Sequence, residues 1–259
     1  MTSIPNLEKY WTERHKHYLG LQWANDATLK AAFVGFCLEQ LADVGTVLDL
    51  GCGHGEIGNL FQALGYTTHG IDICPQPGCR LAALRADIED NGPSVLPLDA
   101  QYDLITARMV FHHLLAKPHA EIIASYLPFL KTGGHFAICE GVPPAGCEEW
   151  YAKMFALKEE RLTLTLSDLI TSLTDAGLNN IASKTFTLPD VSIGNWLRNS
   201  ALDQATQDKI YAMHRDAPPL VKHAYRMREV KPPRSVNGVE SNILCTFTYT
   251  LVRGEKTGG

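Results

Sequence analysis

The stretch Val47-Leu48-Asp49-Leu50-Gly51-Cys52-Gly53-His54-Gly55 constrains this chain more than any other part of it. Thr46–Leu50 is short and apolar, as a buried strand requires, and it runs directly into G-x-G-x-G. Glu56–Leu64 then reads as a helix closed by Gly65. Glycines allow a tight turn and the close approach of a ligand to the backbone. The N-terminus of the following helix offers free N–H groups and positive potential. Thr67–Ile71 reads as the next strand and ends at Asp72, 17 residues beyond Gly55. A carboxylate at that point can accept both hydroxyls of a ribose. Strand, glycine turn, helix and strand-end acid together point to a nucleoside-containing ligand at the carboxyl ends of a sheet.

The alternation continues downstream. Tyr102–Ala107 and His135–Cys139 read as strands, and Ala120–Leu130, Glu148–Glu160 and Ser167–Ala176 as helices. Ile181–Leu188 and Asn242–Arg253 read as two late strands. Upstream, Asn25-Asp26 is placed to cap a helix bearing Leu29, Phe33, Phe36, Cys37 and Leu41, with Asp43-Val44-Gly45 as its end. This is an α/β pattern, a mostly parallel sheet with helices on both faces. Asp190–Asn237, between the late strands, is too long for a hairpin loop. With helical stretches around Trp196 and Asp208–His214, interrupted by Pro218-Pro219 and Pro232-Pro233, it reads as a helical insertion over one end of the sheet. The expected organisation is one domain over 1–259: an N-terminal lid and first helix (1–44), a core (45–188), the insertion (189–240) and the last strand (241–253).

Composition narrows the function classes. The 259 residues are 45% apolar and 20% charged, which excludes a disordered chain. A formal charge of -5 argues against a nucleic-acid partner. No apolar run reaches the ~18 residues of a membrane span, and Met1-Thr2-Ser3-Ile4-Pro5 lacks the signal-peptide pattern. Seven cysteines, odd in number and without C-x-x-C spacing, read as free thiols in a reducing compartment. We therefore expect a cytoplasmic monomer or homodimer with a small-molecule substrate.

A dinucleotide site would show G-x-G-x-x-G, whereas here the spacing is G-x-G-x-G and Gly58 falls outside that fingerprint. Asp49, two residues before the first glycine, suits an ammonium group and would repel a pyrophosphate. Both features favour S-adenosylmethionine over NAD. With VLDLGCGHGEIG at 47–58, GIDI at 70–73, ADIED at 86–90, YDLITARMVFHHL at 102–114 and LKTGGHFAICEG at 130–141, the chain resembles the class I S-adenosylmethionine-dependent methyltransferases, of the broad type that includes small-molecule and quinone-biosynthesis enzymes. The resemblance covers roughly 45–188 and the final strand. It implies a Rossmann-like seven-stranded sheet whose last strand is antiparallel. It also implies that Gly51, Cys52, Gly53 and Gly55 line the cofactor and that Asp49 lies near its amino group. Asp72 would hold the ribose, with Ile73 beside it, and Asp87 and Ile88 would meet the adenine. Arg108 would offer its backbone carbonyl to the ammonium. Only 14 residues lie between Asp72 and Asp87, so the helix and strand between them must be short.

Methyl transfer to a hydroxyl benefits from a base. His112 and His113 follow the fourth strand at the rim where the methyl group would lie, and Glu140, ending the next strand, is placed to orient a histidine. This spacing is similar to the histidine–glutamate arrangement of phenolic O-methyltransferases, which implies O-methylation of a phenol, hydroxyl or carboxylate with His112, or else His113, as base. C- or N-methylation of a quinone-like or amine metabolite, a macromolecular substrate and a non-catalytic binding protein are the alternatives. Tyr10, Trp11, Tyr18, Trp150, Tyr151, Trp196 and Tyr225 are candidates to line the substrate site. The insertion carries eight Lys/Arg against five acids, either a solvated face or, through Arg226 and Arg228, a contact for an anionic substrate. His112, His113 and His119 show no ligand spacing with Cys or Asp, and no metal is expected.

Overall fold

The structure, a computed structural model, describes residues 4–39, 41 and 45–258. The N-terminal segment forms α1 (Ile4–Tyr18), α2 (Gln22–Asn25) and α3 (Ala27–Leu38). Asp26 caps α3, its side chain accepting from the Leu29 N–H at 2.8 Å. The expected helix end at Asp43-Val44 lies outside the described residues. Then follow β1 (Thr46–Leu50), α4 (Gly58–Ala63), β2 (Thr67–Asp72), β3 (Ala82–Arg85), β4 (Tyr102–Arg108), α5 (His119–Tyr126), β5 (Leu130–Val142), α6 (Glu148–Ala156) and α7 (Leu166–Asp175). The chain closes with β6 (Asn179–Ser192), α8 (Ile193–Arg198), α9 (Gln204–Arg215), α10 (Pro219–Ala224), β7 (Arg228–Val236) and β8 (Val239–Glu255).

The strands form one sheet in the order β3-β2-β1-β4-β5-β8-β6. The first five are parallel, and β8 inserts antiparallel between β5 and β6. Side chains alternate across it. Leu48, Leu50, Ile105 and Ala107 pack with α5 and α7 on one face, while Val47 and Leu104 pack with α3 and α4 on the other. The carboxyl ends of β1, β2, β4 and β5 therefore share one edge, where order reverses between β1 and β4, and ligands of open α/β sheets sit outside such a point.

Four expectations change. An eighth strand, β7, pairs with the start of β8, so the insertion is not wholly helical. Asn237 (φ 50°) and Gly238 (φ 76°) make the turn between them, a left-handed pair that joins strands tightly. The register breaks between Glu229 and Arg234, where Pro232 and Pro233 cannot donate to a ladder. Secondly, β6 runs on to Ser192, so the helical part begins only at Ile193. Thirdly, no helix separates β2 from β3, because Pro75, Pro77 and Gly78 occupy that connection. Fourthly, α6 ends at Ala156 rather than Glu160 and releases the next residues toward the sheet edge. Helices α6, α8, α9 and α10 bury a third apolar cluster against α2 and the start of β8, with Trp196, Tyr225 and Ile243 inside it. Among the described residues no helix is long and apolar enough to cross a membrane.

Candidate active site

Two adjoining cavities open at the carboxyl edge of the sheet. The first is built by the glycine turn. Gly51 (φ 68°), Gly53 (φ 46°) and Gly55 (φ 75°) all take the left-handed conformation, and a Cβ on Gly51 would meet Val110 Cγ2 at 2.2 Å. Asp49, Gly51, Cys52, Gly53, Asp72, Ile73, Asp87, Ile88 and Arg108 line this cavity together, as the sequence reading expects. Gly55 does not line it and acts in the turn itself.

The acids of this cavity are held by backbone. Asp72 Oδ2 accepts from the Gly53 N–H at 2.8 Å and Oδ1 from the Cys74 N–H at 2.7 Å, which leaves each oxygen a free lone pair. Burial raises its pKa. Asp49 accepts from Thr106 Oγ1 at 3.0 Å and from the Gly58 N–H at 3.1 Å. Gly58 thus has a role outside any fingerprint, anchoring Asp49 and packing flat on Leu81. Burial pushes the Asp49 carboxyl up to about 7. Asp87 accepts from the Glu89 N–H at 2.9 Å and so shapes a turn while facing the cavity. The Arg108 side chain pairs with Glu56 at 2.7 Å, away from any ligand role for its backbone.

At the end of β4 the chain turns sharply. Met109 has φ 59°, uncommon for a residue with a side chain, and faces both cavities. A single helical turn, Phe111–His113, follows. Glu140, fully buried at the end of β5, organises it. Its Oε1 accepts from the backbone N–H groups of Val110 (2.8 Å) and Phe111 (2.7 Å), and its Oε2 lies 2.6 Å from His112 Nδ1. Burial pushes Glu140 up to about 7 and His112 and His113 well down, so His112 is neutral, and an Nδ1–H given to the Glu140 carboxylate would leave Nε2 its lone pair. The His113 ring lies 3.9 Å from the His112 ring, tilted by 49°, and faces both cavities, while His112 lines only the second.

The second cavity is aromatic. Trp11, Tyr18, Trp150, Tyr151, Trp196 and Tyr225, six of the seven residues expected from the sequence, line it, joined by Phe155 and Tyr249. The seventh, Tyr10, is 41% exposed and borders only the first cavity. Helix α1 lies across the junction: Tyr18 and Trp11 touch both spaces, and Trp11 sits edge-on to His113 at 4.6 Å. Arg226 and Arg228 are exposed and line neither cavity, and Arg228 binds Asp190 at 2.7 Å.

The sequence reading missed a charged cluster at the junction. Lys158, Glu159 and Arg161, just past α6, join Arg14 of α1 there. Burial pushes Glu159 up, but Lys158, His113, Arg14 and Arg161 outweigh it and hold the carboxyl well below its usual range. His15 and His54 are also additions: their rings lie 5.1 Å apart over the first cavity, and burial pushes His15 down to about 4. His112, His113 and Glu159 bring one ligand atom each within 4.8 Å of one another, a grouping that no local spacing announces. Three cations beside it oppose a metal ion. His119, by contrast, packs on Phe111 and bonds the Leu114 carbonyl.

Sheet order and glycine edge are those of the class I methyltransferase fold. Residues 22–183 match the methyltransferase-domain family, and the chain belongs to that family. The YcgJ protein of Bacillus subtilis shares the fold with a TM-score of 0.71 at 16% identity, covering 90% of this chain and 100% of that one. A phosphoethanolamine N-methyltransferase of Haemonchus contortus, solved with S-adenosylhomocysteine, aligns at a TM-score of 0.64 and 11% identity, over 100% of this chain and 61% of that one. Hemagglutinin 1 of Eikenella corrodens is 32% identical over 129 residues, 47% of this chain and 42% of that protein, so the chain spans less than half the length of this curated relative.

Proposed function

We propose that the chain transfers a methyl group from S-adenosylmethionine to an oxygen of a small aromatic or apolar acceptor. The chemistry of the first cavity fits this cofactor. Asp49, Asp72 and Asp87 suit an ammonium, ribose hydroxyls and an adenine amine, whereas three carboxylates would repel a pyrophosphate. Gly51 and Gly53 keep this turn tight at the cavity wall, since a Cβ would meet Val110 Cγ2 at 2.2 Å on Gly51 and His15 Cε1 at 3.1 Å on Gly53.

When bound, S-adenosylmethionine supplies an electrophilic methyl group. This chain's residues do the rest. Asp72 and the glycine turn hold the nucleoside half. The aromatic cavity takes the acceptor and, with α1 across the junction, excludes water. Confining both reactants in adjoining cavities removes much of the entropic barrier. With the methyl group supplied there, His112 Nε2 would take the proton of a hydroxyl acceptor while Glu140 holds Nδ1–H. A carboxylate acceptor needs no such proton transfer.

The observation that carries this reading is the His112–Glu140 contact of 2.6 Å at the wall of the aromatic cavity. Incubation with methyl-labelled S-adenosylmethionine and panels of phenols, carboxylic acids, amines and quinones tests it. The expected product is a methyl ether or ester from wild type, and His112→Ala should lose the ether while retaining S-adenosylhomocysteine binding. Fold similarity to an N-methyltransferase supports N-methylation as the second reading, and label on nitrogen would establish it.

A further inference from the structure

The cluster at the junction carries an excess of buried positive charge. Arg14, Lys158 and Arg161 have side chains only 14%, 10% and 4% exposed, and all three converge on one carboxylate, Glu159, which is 1% exposed. Arg14 pairs with Oε2, Lys158 lies 2.9 Å from that oxygen, and Arg161 lies 3.4 Å from Oε1. Glu140 is committed to His112 and two backbone N–H groups. Two arginines and a lysine therefore face one carboxylate.

Their arrangement leaves one buried donor free among the described residues. Arg161 gives Nη2 to Tyr151 Oη at 3.1 Å, but its Nε is buried with no hydrogen-bond partner among the described residues. Its guanidinium lies 4.0 Å over the Phe155 ring, and Lys158 Nζ lies 5.5 Å from that ring. All these groups line the aromatic cavity alongside His112. A buried charge without full compensation is costly, and a bound anion offsets the cost. In keeping with that, burial pushes Lys158 down to about 7.

We propose that Arg161, Lys158 and Arg14 form a subsite for an anionic oxygen group, carried on an aromatic body and held next to the acceptor atom. The inference deepens the proposed function, resting on it for the place of the acceptor but not for the nature of the bond formed. It moves anion recognition from the exposed Arg226 and Arg228 to buried groups at the junction. The rings of Trp150, Trp196 and Tyr225 would take the aromatic body, and the planar Arg161 fork suits a carboxylate or a phosphate ester.

The test is calorimetric binding to the full chain saturated with S-adenosylhomocysteine. The ligands are 2-naphthoate against 2-naphthamide, 4-hydroxybenzoate against 4-hydroxybenzamide, and 2-naphthyl phosphate as the phosphate arm. At least one anion should bind about tenfold or more tightly than its uncharged partner, and Arg161→Gln and Lys158→Met should each remove about tenfold of that preference. The amides should bind the variants as they bind wild type. Thermal unfolding checks that each variant is folded, and Lys158→Met decides the matter if Arg161→Gln is not. The proposal is overturned if no anion outbinds its amide, or if the preference survives both substitutions. It is also overturned if Mn2+ binds saturably to wild type and not to Glu159→Gln, which would make the cluster a cation site. Anion preference with label found on carbon or nitrogen would refute O-methylation and leave the subsite standing.

Discussion

Replacing Glu140 by Gln separates the chemistry of the His112–Glu140 pair from its architecture. Glu140 Oε1 accepts two backbone N–H groups, from Val110 at 2.8 Å and Phe111 at 2.7 Å, so an amide placed there must keep its oxygen on those donors. Its NH2 then faces His112 Nδ1, which lies 2.6 Å from the present Oε2. Nδ1 becomes an acceptor, the imidazole proton moves to Nε2, and no lone pair remains toward the acceptor. A general base contributes roughly 10²–10⁴ in rate, so kcat for a hydroxyl acceptor should fall by that factor. No buried donor is stranded, so the stability loss should stay below about 1.5 kcal/mol. Glu140→Ala, which strands three donors, should destabilise measurably more. Label transfer at saturating acceptor, urea unfolding and S-adenosylhomocysteine binding give the three readouts. Turnover of Glu140→Gln within about threefold of wild type would refute the base assignment.

Other consequences are as specific. Asp72→Ala removes the acceptor for Gly53 and Cys74 as well as for a ribose, and S-adenosylhomocysteine affinity should fall by about 10- to 100-fold in calorimetry. Because burial raises Asp49 to about 7, its carboxyl is protonated in the free protein below that pH and cannot pair with an ammonium. Affinity for S-adenosylhomocysteine should therefore rise with pH up to about 7, by as much as roughly tenfold per unit, and level off above it. Asp49→Asn should flatten that profile, and an unchanged profile would remove the assignment. Gly51→Ala places a Cβ 2.2 Å from Val110 at φ 68° and should cost about 2–4 kcal/mol by denaturant unfolding.

The cofactor edge was legible because strand-end chemistry is local. Asp49, Gly51 and Gly53 lie within one strand and turn, and β2 must bring Asp72 beside them. His112 and Glu140 were legible for the same reason, since β4 and β5 pair in parallel and that pairing ends at Arg108 and Cys139, just before both. The junction cluster was not. Lys158, Glu159 and Arg161 continue the pattern of α6 in sequence, and only the helix end at Ala156 turns them inward to meet Arg14. The β7–β8 hairpin did have a local signal in Asn237-Gly238, but Pro232-Pro233 masked the strand before it. Tyr10 shows the limit of reading aromatics as a class: its neighbour Trp11 reaches both cavities, while Tyr10 turns outward from the substrate side.

The proposed reaction is methyl transfer to oxygen at the junction of the two cavities, assisted by His112. Mass-spectrometric and NMR identification of the labelled product from wild type and His112→Ala, each run with the acceptor that the panel identifies, tests it most directly. Wild type should give a methoxy or methyl-ester product, and for a hydroxyl acceptor His112→Ala should lose it with S-adenosylhomocysteine binding intact. A C-methyl or N-methyl product, or undiminished transfer to a hydroxyl by His112→Ala, would contradict it.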